Sequence, residues 1–281
     1  MKLSLCNEVI AELDFAAQCD MAAKLGYMGL EVAPFTLGDE PHLMSASEAA
    51  TYRRQAEAAG IEITGLHWLL ITPKGLSITT PDATLRARTT DVLERLVGLC
   101  AMMGGSVLVH GSPQQRAVPE GDSRDIALER AMEVFARVAA AAEREGVTYC
   151  LEPLARRETD FVNTVAEAVE IVDAIDSPGF RTMIDTSAAG ATETETVSDL
   201  INTWLPRGKI AHIQVNDRNR RAPGQGEDQF IPIARALQKN AYEGVVAVEP
   251  FDYIPDGPTT AARAIGYLQG CLQGAACYSG S

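Results

Sequence analysis

Positive charge is scarce in this sequence. Lys and Arg number 24 against 38 Asp and Glu, a net charge of −14. No nucleic-acid partner is expected, because a phosphate backbone needs a basic footprint. No run of about 18 apolar residues occurs, the length a membrane-spanning helix needs. The opening Met1-Lys2-Leu3-Ser4-Leu5-Cys6 enters a strand-like segment at once, without the charged, apolar and small-residue zones of an export signal. The six cysteines lack C-x-x-C spacing. That argues against a disulfide framework and fits reduced thiols in a cytoplasmic protein. No stretch rich in Pro, Gly or Ser divides the chain. Residues 1–281 are therefore read as one domain, with an extended tail from about residue 272. Histidine is rare too, with only His42, His67, His110 and His212. The rest is ordinary for a folded protein, 46% apolar and 22% charged.

What is present is a repeat. Seven times a glycine follows a helix-like stretch and precedes a short apolar run: Gly26, Gly60, Gly104, Gly146, Gly179, Gly208 and Gly244, at intervals of 34, 44, 42, 33, 29 and 36 residues. A glycine at such a place is expected to end a helix in a left-handed turn. Helix starts are marked by capping-box patterns at Ser45 to Glu48 and Thr164 to Glu167. Thr80-Pro81 suggests a proline at a first helical position. The runs between are short and β-branched, as in parallel strands covered on both faces. With Lys2 to Cys6 as the first strand, eight strands alternate with helices. Eight units of about 35 residues predict an α/β fold, a single (β/α)8 TIM barrel. An open doubly wound sheet would carry a glycine-rich phosphate loop after its first strand, and here that position reads Cys6-Asn7-Glu8-Val9-Ile10.

Barrel chemistry gathers at the C-terminal strand ends. Counting forward from each glycine finds Glu31, His67, His110, Glu152, Asp185, His212 and Glu249. A lone Glu or His at a strand end is often a solvated residue or a helix cap. Recurrence on seven strands weakens that reading. The sharpest set is Glu152, Asp185, His212 and Glu249 on strands five to eight, since neighbouring strands lie about 4.8 Å apart. Three carboxylates converging there would repel one another and raise their pKa values. A divalent cation relieves this. Three carboxylates with one imidazole suit Mn²⁺, Mg²⁺ or Co²⁺, with Zn²⁺ also compatible, and Mn²⁺ is the expectation.

The residues Leu151-Glu152-Pro153, Ile184-Asp185-Thr186, His212 and Val248-Glu249-Pro250-Phe251 resemble the sugar-phosphate isomerase/epimerase superfamily of xylose-isomerase-like barrels. Within it they are similar to the ketose 3-epimerases. So are the segment from Glu152 to Thr164 and the run from Arg218 to Gly226. The resemblance implies metal ligation by Glu152, Asp185, His212 and Glu249, and proton transfer by Glu152 and Glu249 through a metal-stabilised cis-enediolate. It implies contacts to sugar hydroxyls from Glu158 and Arg218, a sugar or keto-sugar substrate, and a homodimer or homotetramer. One departure stands out. Those epimerases commonly carry a histidine three residues after the sixth-strand aspartate, where this sequence has Ala188. Either the substrate differs, or His67 or His110 substitutes for that histidine.

Three other readings are weighed. A metal-dependent lyase or dehydratase acting on a keto-sugar would use the same site and then expel a leaving group, and Ala188 favours it. A three-zinc nuclease of the same superfamily takes about five histidines, more than this acidic chain has. A non-catalytic sugar-binding barrel would lack a metal ligand, and the strand-end pattern lacks none. A phosphate clamp on the substrate would need a base near strands seven and eight, where Arg218, Arg220 and Arg221 are candidates.

Overall fold

In a computed structural model, residues 1–277 are described. Eight strands close into one parallel ring in sequence order. They are β1 (Lys2–Cys6), β2 (Gly29–Val32), β3 (Glu62–Leu66), β4 (Val107–His110), β5 (Thr148–Leu151), β6 (Phe180–Asp185), β7 (Ile210–Val215) and β8 (Val245–Val248). The helices are α1 (Phe15–Leu25), α2 (Ala46–Ala59), α3 (Ala83–Met103), α4 (Arg124–Glu145), α5 (Val165–Ile175), α6 (Thr186–Thr192), α7 (Val197–Trp204), α8 (Phe230–Lys239) and α9 (Gly257–Cys277). β1 pairs with β8 from Lys2↔Val245 to Leu5↔Val248, which completes the barrel. The expected single-domain TIM barrel is what forms.

Local signals account for much of this. Both capping boxes are made: Ser45 caps α2 with Glu48, and Thr164 caps α5 with Glu167. Gly26, Gly60, Gly104 and Gly146 end α1 to α4 in the left-handed region, where a Cβ is costly. Gly179 serves a different need. α5 already ends at Asp176 in that conformation, and a Cβ on Gly179 would lie 2.7 Å from the Ala139 carbonyl of α4. The glycine there permits close helix approach. Two boundaries differ from expectation. Asp82, whose side chain accepts from Thr84 and Leu85 N–H, caps α3, so Pro81 precedes the cap and is not a first helical residue. α9 continues through Cys277, so residues 272–277 are helical and not an extended tail; residues 278–281 lie outside the described residues. The six cysteines are free thiols, and all but Cys277 are buried. Among the described residues no helix is long and apolar enough to cross a membrane.

The main core lies between strands and helices, with large buried side chains such as Phe135, Phe180 and Phe230. A second, small cluster plugs the ring from inside: Val107, Val109, Cys150 and Met183. Strand side chains alternate between faces. Asp185, two residues beyond Met183, and Glu152, two beyond Cys150, therefore also point inward, one step nearer the C-terminal mouth. The apolar plug is a floor, and the acidic side chains stand on it.

Candidate active site

Glu152 follows β5, Asp185 ends β6 and Glu249 follows β8. Each offers a carboxylate oxygen within 4.8 Å of the other two, and all three are buried. Asp185 also caps α6. Its Oδ1 accepts from Ala188 N at 2.7 Å and Ser187 Oγ at 3.1 Å, and its Oδ2 accepts from Asn216 Nδ2 at 2.7 Å. The same Asn216 Nδ2 donates to the Glu249 carbonyl at 2.9 Å, so one amide ties two of the three acids together. Arg116, fully buried, donates from Nη1 to the Glu152 carbonyl at 2.6 Å. Gly111 faces Glu152, and a Cβ there would lie 1.8 Å from Oε2.

The charges are poorly compensated. Burial and the neighbouring Asp185 push the Glu152 carboxyl well above the usual carboxylate range, against the pull of Arg116. Burial, then Glu152 and Asp185, does the same to Glu249. Burial raises Asp185 to about 6, although its hydrogen bonds oppose the rise. Three buried acids that resist ionising together are a fit for a divalent cation, whose charge would offset theirs.

His212 is not in this group. Its Nε2 lies 2.8 Å from Glu31 Oε2, deeper in the ring. The reason is register. His212 pairs with Met183, on the plug level, whereas Gln214 pairs with Asp185. Glu31 Oε1 accepts from Gln214 Nε2 at 2.7 Å. Burial alone would raise the Glu31 carboxyl, but His212, His67 and Gln214 hold it below its usual range. The four-residue metal set expected from strand ends is therefore assembled only in its three acids.

The other expected residues separate into two groups. His67 is beside the site. Its Nε2 is 2.9 Å from Glu8 Oε2 and 3.9 Å from Glu249 Oε1. Burial opposes charge on this imidazole, but Glu8 and Glu31 raise its pKa above the ordinary value. His110 is a core residue. It packs edge-on against Phe135 of α4 and hydrogen-bonds Tyr149 Oη through Nδ1. Burial, then the Arg116 charge, pushes it down to about 3. Glu158 lines the cavity above the acids with Trp68, Ser187, Ala188 and Phe251. Arg218 turns away, its Nε 2.6 Å from Asp228 Oδ1. The arginine that touches the cavity's lining is Arg220, whose guanidinium carbon sits 4.7 Å from the Phe251 ring centroid and whose Nη1 lies 3.7 Å from Glu158 Oε1. Trp68 and Phe251 meet edge to face at 6.1 Å. Sequence reasoning missed Glu8, Asn216 and Gln214 as site residues. Asn216 and Gln214 carried a readable signal, since inward positions on β7 recur every second residue from His212.

Residues 19–271 match the model of the xylose isomerase-like TIM barrel family. The chain belongs to that family. It is 30% identical to a D-psicose 3-epimerase of Ruminiclostridium cellulolyticum over 242 residues, 85% of this chain and 79% of the relative. It is 30% identical to another of Agrobacterium fabrum, covering 84% and 79%. Among solved structures, D-psicose 3-epimerase from Clostridium cellulolyticum H10 with D-tagatose superposes with a TM-score of 0.82 at 22% identity, covering 97% of this chain and 99% of that one. A 3-keto-D-glucoside 4-epimerase from E. coli does so with 0.82 at 18% identity, covering 96% and 100%. These two likenesses are of fold.

Proposed function

We propose that this chain is a divalent-metal-dependent sugar epimerase of the ketose 3-epimerase type, with Mn²⁺ as its metal. The observation that carries the reading is the buried group of Glu152, Asp185 and Glu249 beneath one cavity. The similarity to two D-psicose 3-epimerases supports it. Bound to these acids, the ion would offset their charge and polarise a ketose carbonyl.

Glu152 and Glu249 do the proton work. They come from β5 and β8, three strands apart in the ring, and so reach a sugar from different sides. One, as carboxylate, takes the proton from the carbon next to the carbonyl. The C–H electron pair passes into the carbonyl and the sugar becomes an enediolate. The other, as carboxylic acid, returns a proton to the same carbon from the opposite face, which restores the ketone with inverted configuration. Asp185 is held by Ala188, Ser187 and Asn216 and has no proton role. Trp68 and Phe251 wall the cavity and exclude water, and Glu158 and Arg220 meet hydroxyls. Arg218, Arg220 and Arg221 face Asp228, Glu158 and Asp252 respectively, which favours a sugar without phosphate.

The test is proton exchange. In deuterated water with Mn²⁺ and a panel of ketoses and keto-sugars, NMR should find deuterium at the carbon beside the carbonyl together with the stereoisomer. Glu249→Gln should abolish both. No exchange at any carbon with metal bound overturns the mechanism. Elimination is the second reading, favoured by Ala188, which gives the cavity wall no hydrogen-bonding side chain there. A dehydrated product would decide for it.

A further inference from the structure

The three acids leave open what else would hold the ion, and Gln214 answers in a way His212 does not. His212 Nε2 is 2.8 Å from Glu31 Oε2, and the ring lies at the level of Met183. Gln214 lies one inward step nearer the mouth. It pairs with Asp185 on one side and with Ala247, two residues before Glu249, on the other. Its side chain is fully buried. An ionised carboxylate only accepts, so Glu31 fixes which end of the amide faces it: Nε2 donates to Glu31 Oε1 at 2.7 Å. The carbonyl oxygen must then point elsewhere, and Oε1 is buried without a hydrogen-bond partner. An orphaned buried acceptor costs roughly 1–3 kcal/mol unless something uses it.

We infer that Gln214 Oε1 is the fourth protein ligand of the metal, and that His212 is not a ligand. The inference rests on the metal dependence proposed above and specifies its chemistry. The donor set becomes Glu152, Asp185, Glu249 and an amide carbonyl, all of them oxygens. Such a set is harder than one with an imidazole and favours Mn²⁺ and Mg²⁺ over Zn²⁺ and Co²⁺. Glu31 and His212 take a positioning role. His212 Nε2 stands 2.8 Å from one oxygen of Glu31, the other oxygen accepts from the Gln214 amide, and the amide aims its carbonyl.

The test uses Mn²⁺ as its own probe and does not read activity. Wild-type protein is titrated with Mn²⁺ and followed by continuous-wave EPR, then examined by pulsed EPR for a directly coordinated imidazole nitrogen. Bound Mn²⁺ without that signal is expected. Gln214→His should create the signal and shift preference towards Zn²⁺ by about tenfold or more. His212→Asn, which removes a positioning group, should weaken Mn²⁺ binding without changing its EPR signature, whereas Gln214→Ala should weaken it by at least tenfold. An imidazole signal in the wild type that vanishes in His212→Asn overturns this inference and leaves the metal-dependent epimerase standing. Folded wild-type protein that binds no Mn²⁺ overturns both.

Discussion

Asn216 donates from Nδ2 to Asp185 Oδ2 at 2.7 Å, and that bond orients a carboxylate that sequence reasoning placed in the metal group. The Asn216 Oδ1 atom accepts from Ser187 N at 2.9 Å, so the amide cannot rotate without breaking both contacts. Asn216→Ala is expected to weaken Mn²⁺ binding about 10- to 100-fold, the usual effect of removing a group that orients a ligand. Isothermal titration calorimetry measures it. Affinity unchanged within threefold would show that Asp185 holds its direction unaided.

The metal-free protein should respond to pH through the same acids. Glu152, Asp185 and Glu249 have carboxyls raised by burial and mutual repulsion. The native state then holds more protons than the unfolded chain, so their contribution to stability falls as pH rises from about 4.5 through the raised native values. Glu249→Gln removes one such carboxyl. Its metal-free form should gain roughly 1–3 kcal/mol over wild type at pH 8, with a smaller gain at pH 5. Urea melts at the two pH values give the difference. A gain that is equal or larger at pH 5 would contradict it.

The two arginines should part company in kinetics. Arg220 contacts Glu158 and Phe251, two residues that line the cavity. Arg220→Ala is expected to raise KM for the ketose about tenfold or more, the scale of a lost charged hydrogen bond. Arg218 makes an exposed pair with Asp228, worth about 0–1 kcal/mol. Arg218→Ala should keep kcat and KM within about twofold. The reverse pattern would restore Arg218 as the sugar contact.

Gly111 gives the most local prediction. A Cβ there would lie 1.8 Å from Glu152 Oε2, so Gly111→Ala must push the carboxylate aside. We expect kcat to fall about 100-fold or more, since a misplacement of about 1 Å costs that much, and stability to drop about 1–3 kcal/mol. Near wild-type kcat would mean that Glu152 works from another rotamer.

The ring, its strand order and its three acids were legible in the sequence, because glycine spacing and strand-end position depend on local geometry. Depth in the ring was not. His212 and Gln214 share a strand and a face, and only pairing with Met183 and Asp185 tells which of them stands level with the acids. Direction was hidden for His110 as well. It ends β4 as counted, yet its ring packs against Phe135 outside the strands. Arg218 and Arg220 differ by two residues in a loop. There a left-handed residue at Arg220, φ 70°, redirects the chain in a way no periodicity announces.

Glu31 also bears on how the molecule holds together. It stands on β2, yet it meets His212 and Gln214 of β7 across the lumen. The first four strands supply the carboxylate, and the last four supply the imidazole and the amide that face it. Cut between β4 and β5, an amino-terminal half would keep His67, 3.8 Å from Glu31 Oε1, but lose the Gln214 amide and the His212 imidazole that face this buried acid, and weakening the pairing of a buried charge is costly. The full set of partners around Glu31 exists only in the closed ring. One buried carboxylate thereby ties the two halves of the ring together across the lumen.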